Sequence, residues 1–160
     1  MHFTLLADRP DAVPTVARWY FDEWGQAVPG NTYAKTCERI NGGLNRDRLP
    51  LHLLAVDGDR VLGVARLKLR EMSIYPDREH WLGGVYVASA ARGRGLASAL
   101  CREARDLAAS LGVSSLHLQT ERLDGGLYAR LGWRAVEQVR YNGHEVLVMV
   151  CDVGDVKGGG

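Results

Sequence analysis

Residues Arg92 to Ala97, Arg-Gly-Arg-Gly-Leu-Ala, constrain this chain more than any other stretch. They follow the apolar run Val85-Tyr86-Val87 and lead into an amphipathic segment that continues to Leu111. Gly93 and Gly95 carry no Cβ, so the backbone amides can turn inward and approach an anion closely. The start of a helix adds unpaired N–H groups and the positive end of a dipole. Strand end, loop and helix start together form a cradle suited to a phosphate or pyrophosphate. An ordinary glycine-rich turn reads equally well from the loop alone.

The flanking pattern predicts the rest of the fold. Residues 3–7 read as a first strand, ended by Asp8-Arg9-Pro10. Asp11 is placed to cap a helix reaching Trp24, with Pro14 tolerated in its first turn. Val16, Ala17, Tyr20, Phe21 and Trp24 recur at helical spacing. A second helix is expected over residues 32–41, and Gly42-Gly43 opens a loop. Residues 51–56 and 61–69 flank Asp57-Gly58-Asp59-Arg60, a hairpin signal. Residues 81–87 form a strand despite Gly83-Gly84, and glycine there marks a bulge or a close approach by another backbone or a ligand. Leu96, Leu100, Ala104, Leu107, Ala108 and Leu111 then share one helical face, which Gly112 ends. A strand over 113–120 and a short helix over 127–131 follow, and Asn142-Gly143-His144 joins strands 133–141 and 145–153. Residues 154–160 carry no core residue and are expected to be a disordered tail.

The resulting order, β-α-α-β-β-β-α-β-α-β-β, mixes hairpins with one β-α-β unit and predicts an α+β fold with helices on a mixed sheet. At 160 residues, with 46% hydrophobic and 24% charged residues, residues 1–153 are expected to form a single domain. A net charge of +1 gives no broad basic surface, so no nucleic-acid partner is expected. Cys37, Cys101 and Cys151 are far apart and lack metal-ligand spacing, which suggests reduced thiols, no metal site and a cytoplasmic location. The N-terminus lacks a basic-then-apolar leader pattern, and no apolar run has spanning length, so no membrane association is expected.

Gly-rich alternatives fit poorly. A nucleotide P-loop needs Lys-Ser or Lys-Thr after its last glycine, where this chain has Leu96-Ala97. A dinucleotide fingerprint from Gly93 meets Ser98 where Gly or Ala belongs, and residues 88–92 separate it from its strand.

The chain resembles the GNAT superfamily of N-acetyltransferases. Arg92-Gly93-Arg94-Gly95-Leu96-Ala97 fits that family's Arg/Gln-x-x-Gly-x-Gly/Ala signature. The Gly-Val-Tyr-Val strand before it and Leu127-Tyr128-Ala129-Arg130-Leu131-Gly132-Trp133 after it extend the match to roughly residues 3–153. The resemblance implies a mostly antiparallel central sheet with splayed middle strands and helices on both faces. It also implies an acetyl-CoA-dependent enzyme that transfers acetyl directly to an amine through a ternary complex, without metal. Backbone amides of Arg92, Gly93, Arg94, Gly95, Leu96 and Ala97 would bind the pyrophosphate. Backbone groups of Val85, Tyr86 and Val87 would hold the pantetheine arm, and Tyr128 would be the general acid facing the sulfur. The acceptor would be a small-molecule or peptide amine, and a homodimer is compatible with the family.

Only a neutral amine attacks a thioester, so a carboxylate or imidazole must take its proton. Glu79 and His80, just before the Trp81 strand, are the candidates, followed by Glu121 and Asp124, with Glu71 more remote. Each of these also reads as a solvated loop charge. The family often has an asparagine and an alanine where this chain has Glu121 and Asp124. Trp19, Tyr20, Phe21, Trp24 and Tyr33 are divided between an acceptor pocket and the core, and Arg130 and Arg134 between CoA phosphates and solvent. His52 and His117 read as packed strand residues. A non-catalytic acyl-CoA-binding or regulatory module is the competing function.

Overall fold

The computed structural model describes residues 1–154. Its regular elements are β1 (His2–Leu5), α1 (Val13–Glu23), α2 (Tyr33–Asn41), β2 (Leu51–Asp57), β3 (Arg60–Leu69), β4 (His80–Val87), α3 (Leu96–Ser110), β5 (Ser115–Thr120), α4 (Gly126–Arg130), β6 (Arg134–Tyr141) and β7 (His144–Asp152). This is the element order expected from the sequence. The strands form one seven-stranded sheet in the order β1-β2-β3-β4-β5-β7-β6. β4 and β5 run parallel, whereas β1–β2, β5–β7 and β6–β7 are antiparallel, so the fold is α+β with a mixed, mostly antiparallel sheet. Residue contacts divide the chain into two compact units, Met1–Arg66 with Gly84–Cys101, and Leu67–Gly83 with Arg102 onward.

In the first unit, Val13, Val16, Ala17 and Tyr20 of α1 form one buried face. They pack with Ile40 of α2, Leu54 and Val56 of β2, and Val64 of β3. Burying such aliphatic side chains contributes about 1.5–3 kcal/mol each, the main term holding these helices to the strands. Side chains alternate along a strand, so Gly63 faces away from Val64. A Cβ on Gly63 would lie 2.9 Å from Leu100 Cδ1, so α3 covers the opposite face. Thr32, expected as the first residue of this helix, is instead its N-cap, its Oγ1 accepting from the Lys35 N–H at 3.1 Å. Asp11 does not cap α1. The N-cap is Ala12, preceded by a 3-10 turn at Pro10–Ala12, and Asp11 instead lies 3.6 Å from Arg9 Nε. The first strand also stops early, because Leu6 turns fully into the core and Leu6–Asp8 form a 3-10 turn.

In the second unit, β5 pairs with β7 from Ser115↔Asp152 to Thr120↔Leu147, and Trp81 of β4 lies opposite His117. Trp81, Met72, Val146 and Val148 build its buried cluster, with the Trp81 indole donating to the Arg78 carbonyl at 2.7 Å. β6 and β7 meet through a two-residue turn. Asn142 (φ 49°) and Gly143 (φ 83°) both take the left-handed conformation that such turns require. His144 therefore belongs to β7 rather than to the turn. Gly154 donates to the Ser114 carbonyl at 3.1 Å, so the first residue of the expected tail is tied down. The remainder of that expectation, residues 155–160, lies outside the described residues.

Candidate active site

The loop between β4 and α3 takes its shape from its two glycines. Gly93 (φ 83°) and Gly95 (φ 75°) both hold left-handed backbone, and a Cβ on either would meet nothing within 4 Å. Glycine is therefore required there by conformation, with open space in front of it. The Gly95 carbonyl accepts the first helical bond, from the Ala99 N–H at 3.1 Å. Among the described residues, no N–H from Gly95 to Ser98 makes a turn, loop or cap hydrogen bond to a backbone acceptor. These groups crown a 15-residue helix and point their partial positive charge away from it. Arg92 to Gly95 are exposed, whereas Leu96 is buried and anchors the helix start. The Arg92 side chain turns back on the strand, with Nε donating to the Val87 carbonyl at 2.9 Å and the guanidinium carbon 5.3 Å from the Tyr86 ring centroid.

The strand that feeds this loop is irregular. Gly84 sits inside β4 with φ +56°, and a Cβ there would lie 2.5 Å from the Tyr20 hydroxyl. That hydroxyl donates to the Gly84 carbonyl at 2.7 Å. The close approach anticipated at Gly83-Gly84 is thus made by a side chain of α1. Burial pushes the Tyr20 phenol far above its ordinary range, opposed in part by Arg66, so it remains a donor at physiological pH. Trp19 stacks on Tyr86 with ring centroids 5.1 Å apart. Of the five aromatics divided between core and pocket, Tyr20 is buried, Trp19, Phe21 and Tyr33 are half-buried, and Trp24 is 44% exposed.

Tyr128 lies in α4 of the second unit and is half-buried. Its carbonyl accepts from the Trp133 N–H at 3.0 Å, and its ring meets Trp133 edge-on with centroids 6.1 Å apart. The helix starts from Gly125 (φ 83°), where a Cβ would lie 2.8 Å from Ala129 Cβ and 3.1 Å from Met149 Cε. Asp124 supports that start, its Oδ1 accepting from the Gly126 N–H at 3.0 Å. Arg122 and then this N–H hold the Asp124 carboxyl below the usual range, which makes it a weak base.

The other base candidates are scattered. Glu79 is exposed and faces Arg70 at 3.6 Å, and His80 is the first residue of β4 rather than a loop residue. Glu121 lies 3.3 Å from His144 Nδ1 at an exposed site. Glu71 is the most sheltered carboxylate of the set, paired with Lys68. Arg134 pairs with Asp152 at 3.2 Å. His52 is buried on β2, its ring 5.8 Å from that of Tyr20, and His117 lies against Trp81. Among the described residues, no group of His, Cys, Asp and Glu is arranged to hold a metal ion, and no helix is long and apolar enough to cross a membrane.

The family model described as Acetyltransferase (GNAT) family matches residues 13–133, a span that runs from the first residue of α1 to Trp133. The chain belongs to the GNAT family. No curated protein sequence matches it. Among solved structures, the GNAT chain is similar to an aminoglycoside 6'-N-acetyltransferase complexed with coenzyme A, with 15% identity, a TM-score of 0.74, and 96% of this chain and 97% of that one covered. It is similar to the aminoglycoside 6'-N-acetyltransferase from Enterococcus faecium, with 16% identity, a TM-score of 0.72 and the same coverage. It is also similar to the spermidine/spermine N-acetyltransferase SpeG from Vibrio cholerae, with 16% identity, a TM-score of 0.72, and 98% and 97% covered. At such identities the likeness is one of fold.

Two relationships in this GNAT chain escaped the sequence. One is the turn of Arg92 back onto Val87, since an arginine beside a glycine-rich loop reads first as a phosphate contact. The other joins Tyr20 to Gly84. Its only trace was a glycine pair inside a strand, which marks a close neighbour without naming it.

Proposed function

We propose that this chain is an acetyl-CoA-dependent N-acetyltransferase that moves the acetyl group directly to a small-molecule amine within a ternary complex. The observation that carries the reading is the set of N–H groups from Gly95 to Ser98 that make no turn or cap hydrogen bond to the backbone, beside two left-handed glycines at a helix start. The open space before those glycines leaves the loop backbone accessible to an anionic group. Arg92, Gly93, Arg94, Gly95, Leu96 and Ala97 would hold it through their amides. Backbone groups of Val85, Tyr86 and Val87 would align the pantetheine arm, with the Val87 carbonyl already shared with Arg92. Bound acetyl-CoA supplies the acetyl group as an activated thioester.

Tyr128 would act as general acid, its phenolic Oη giving a proton to the departing sulfur. In water this transfer is uphill by about 2 kcal/mol, from a phenol near pKa ~10 to a thiolate near ~8.5. Glu79 or His80 would take the proton from the amine, directly or through water. Small polyamino acceptors are favoured because the structurally similar proteins carry names of aminoglycoside and spermidine acetyltransferases.

An acetyl-CoA consumption screen against a broad amine library, run beside calorimetric titration with CoA, tests the reading. Saturable consumption with a defined amine and measurable CoA binding are expected. CoA binding without turnover on any amine would point to a binding module, and absence of CoA binding would remove the proposal.

A further inference from the structure

We infer that Tyr20 is a positioning residue for the coenzyme strand, its hydroxyl holding the bend at Gly84 that sets the peptide edges of Val85, Tyr86 and Val87. This rests on the acetyl-CoA reading above and adds to it a residue outside the loop and strand that would touch the coenzyme. A left-handed residue within a strand breaks the regular pleat and redirects the peptides that follow. Glycine tolerates that conformation but does not enforce it, because it enters many others as readily. Something must hold the bend, and the Tyr20 hydroxyl does so at 2.7 Å. The phenol is itself held. Its residue is only 8% exposed, it lies in the cluster of α1, α2, β2 and β3, and its ring meets His52 at 5.8 Å and Trp24 at 5.7 Å. The contact is also tight from the strand side, since a Cβ on residue 84 would come 2.5 Å from that oxygen. Trp19, the neighbouring residue on α1, stacks on Tyr86, so the same helix turn grips the strand at two points.

Tyr20→Phe keeps the ring and removes the donor. CoA affinity should fall about tenfold, the worth of one hydrogen bond to a part-buried carbonyl, when measured by calorimetry well below the melting temperature. The Michaelis constant for acetyl-CoA should rise in step. Gly84→Ala, which opens the same contact from the other side, should shift both in the same direction and serves if Tyr20→Phe does not fold. Val16→Ala, which removes core volume from the same helix, should lower the melting temperature and leave CoA affinity unchanged. Equal CoA affinity in wild type and Tyr20→Phe would overturn the inference alone. Failure of the wild-type chain to bind CoA would overturn the acetyl-CoA reading and this inference together.

Discussion

Arg92 Nε donates to the Val87 carbonyl at 2.9 Å, which closes the loop back onto the strand it leaves. The guanidinium also lies over the Tyr86 ring, so one exposed side chain ties loop, strand backbone and strand side chain together. Its contribution is to shape, with its charge left near the cradle. Arg92→Ala should weaken CoA binding three- to tenfold, about 0.5–1.5 kcal/mol for one net hydrogen bond, with little change in melting temperature. Calorimetric titration beside a thermal melt separates the two effects.

Gly95 holds φ +75°, and a Cβ added there would have nothing within 4 Å. Gly95→Ala thus meets conformational strain without a clash, a cost of about 1–2 kcal/mol in stability. The chain should still fold, with the loop displaced toward right-handed backbone and CoA affinity lowered by at least tenfold. Urea unfolding and CoA titration check both halves.

Tyr128→Phe keeps the edge-on packing against Trp133 and removes only the hydroxyl. Loss of a general acid should lower kcat about 100-fold or more while CoA affinity stays within a factor of two or so. An unchanged kcat on a good amine substrate would remove Tyr128 from the chemistry.

At Gly125 both conformation and space are constrained, with φ +83° and a Cβ position 2.8 Å from Ala129 Cβ. Gly125→Ala should cost more than Gly95→Ala, about 2–4 kcal/mol, because strain and overpacking add. Chemical denaturation of the two variants side by side measures the difference.

His117 titrates below its ordinary value of 6.5 in the folded chain, mainly through burial and secondarily through Arg78. The unfolded chain then binds more protons in the window between the lowered folded value and 6.5. Stability from this group is complete above that window and declines as pH falls through it. His117→Gln should flatten this part of the stability–pH curve, as read from urea midpoints between pH 7 and pH 5.

Much of the architecture is legible in local patterns, because those patterns are the physics of the elements themselves. The helical spacing of Val16, Ala17 and Tyr20, the Asn142-Gly143 turn and the glycine-rich loop before Leu96 each act over a few residues. The order of elements and the family signature follow from them. Asp11 shows where such patterns fail. Its residue type suits a cap, but its carboxylate faces Arg9 and the helix begins after a 3-10 turn.

What only the three-dimensional structure decided is which partner each side chain takes. Asp124 has the chemistry of a base, and the fold makes it a support for the start of α4, with Arg122 lowering its proton affinity. Arg92 has the charge of a phosphate ligand, and the fold gives its Nε to a carbonyl. Tyr20 and Gly84 are 64 residues apart, and nothing in either neighbourhood names the other. Local sequence determines backbone preference within a turn or a pleat, whereas the Tyr20–Gly84 pairing depends on how α1 lies on the strands, a result of burying one apolar face against another.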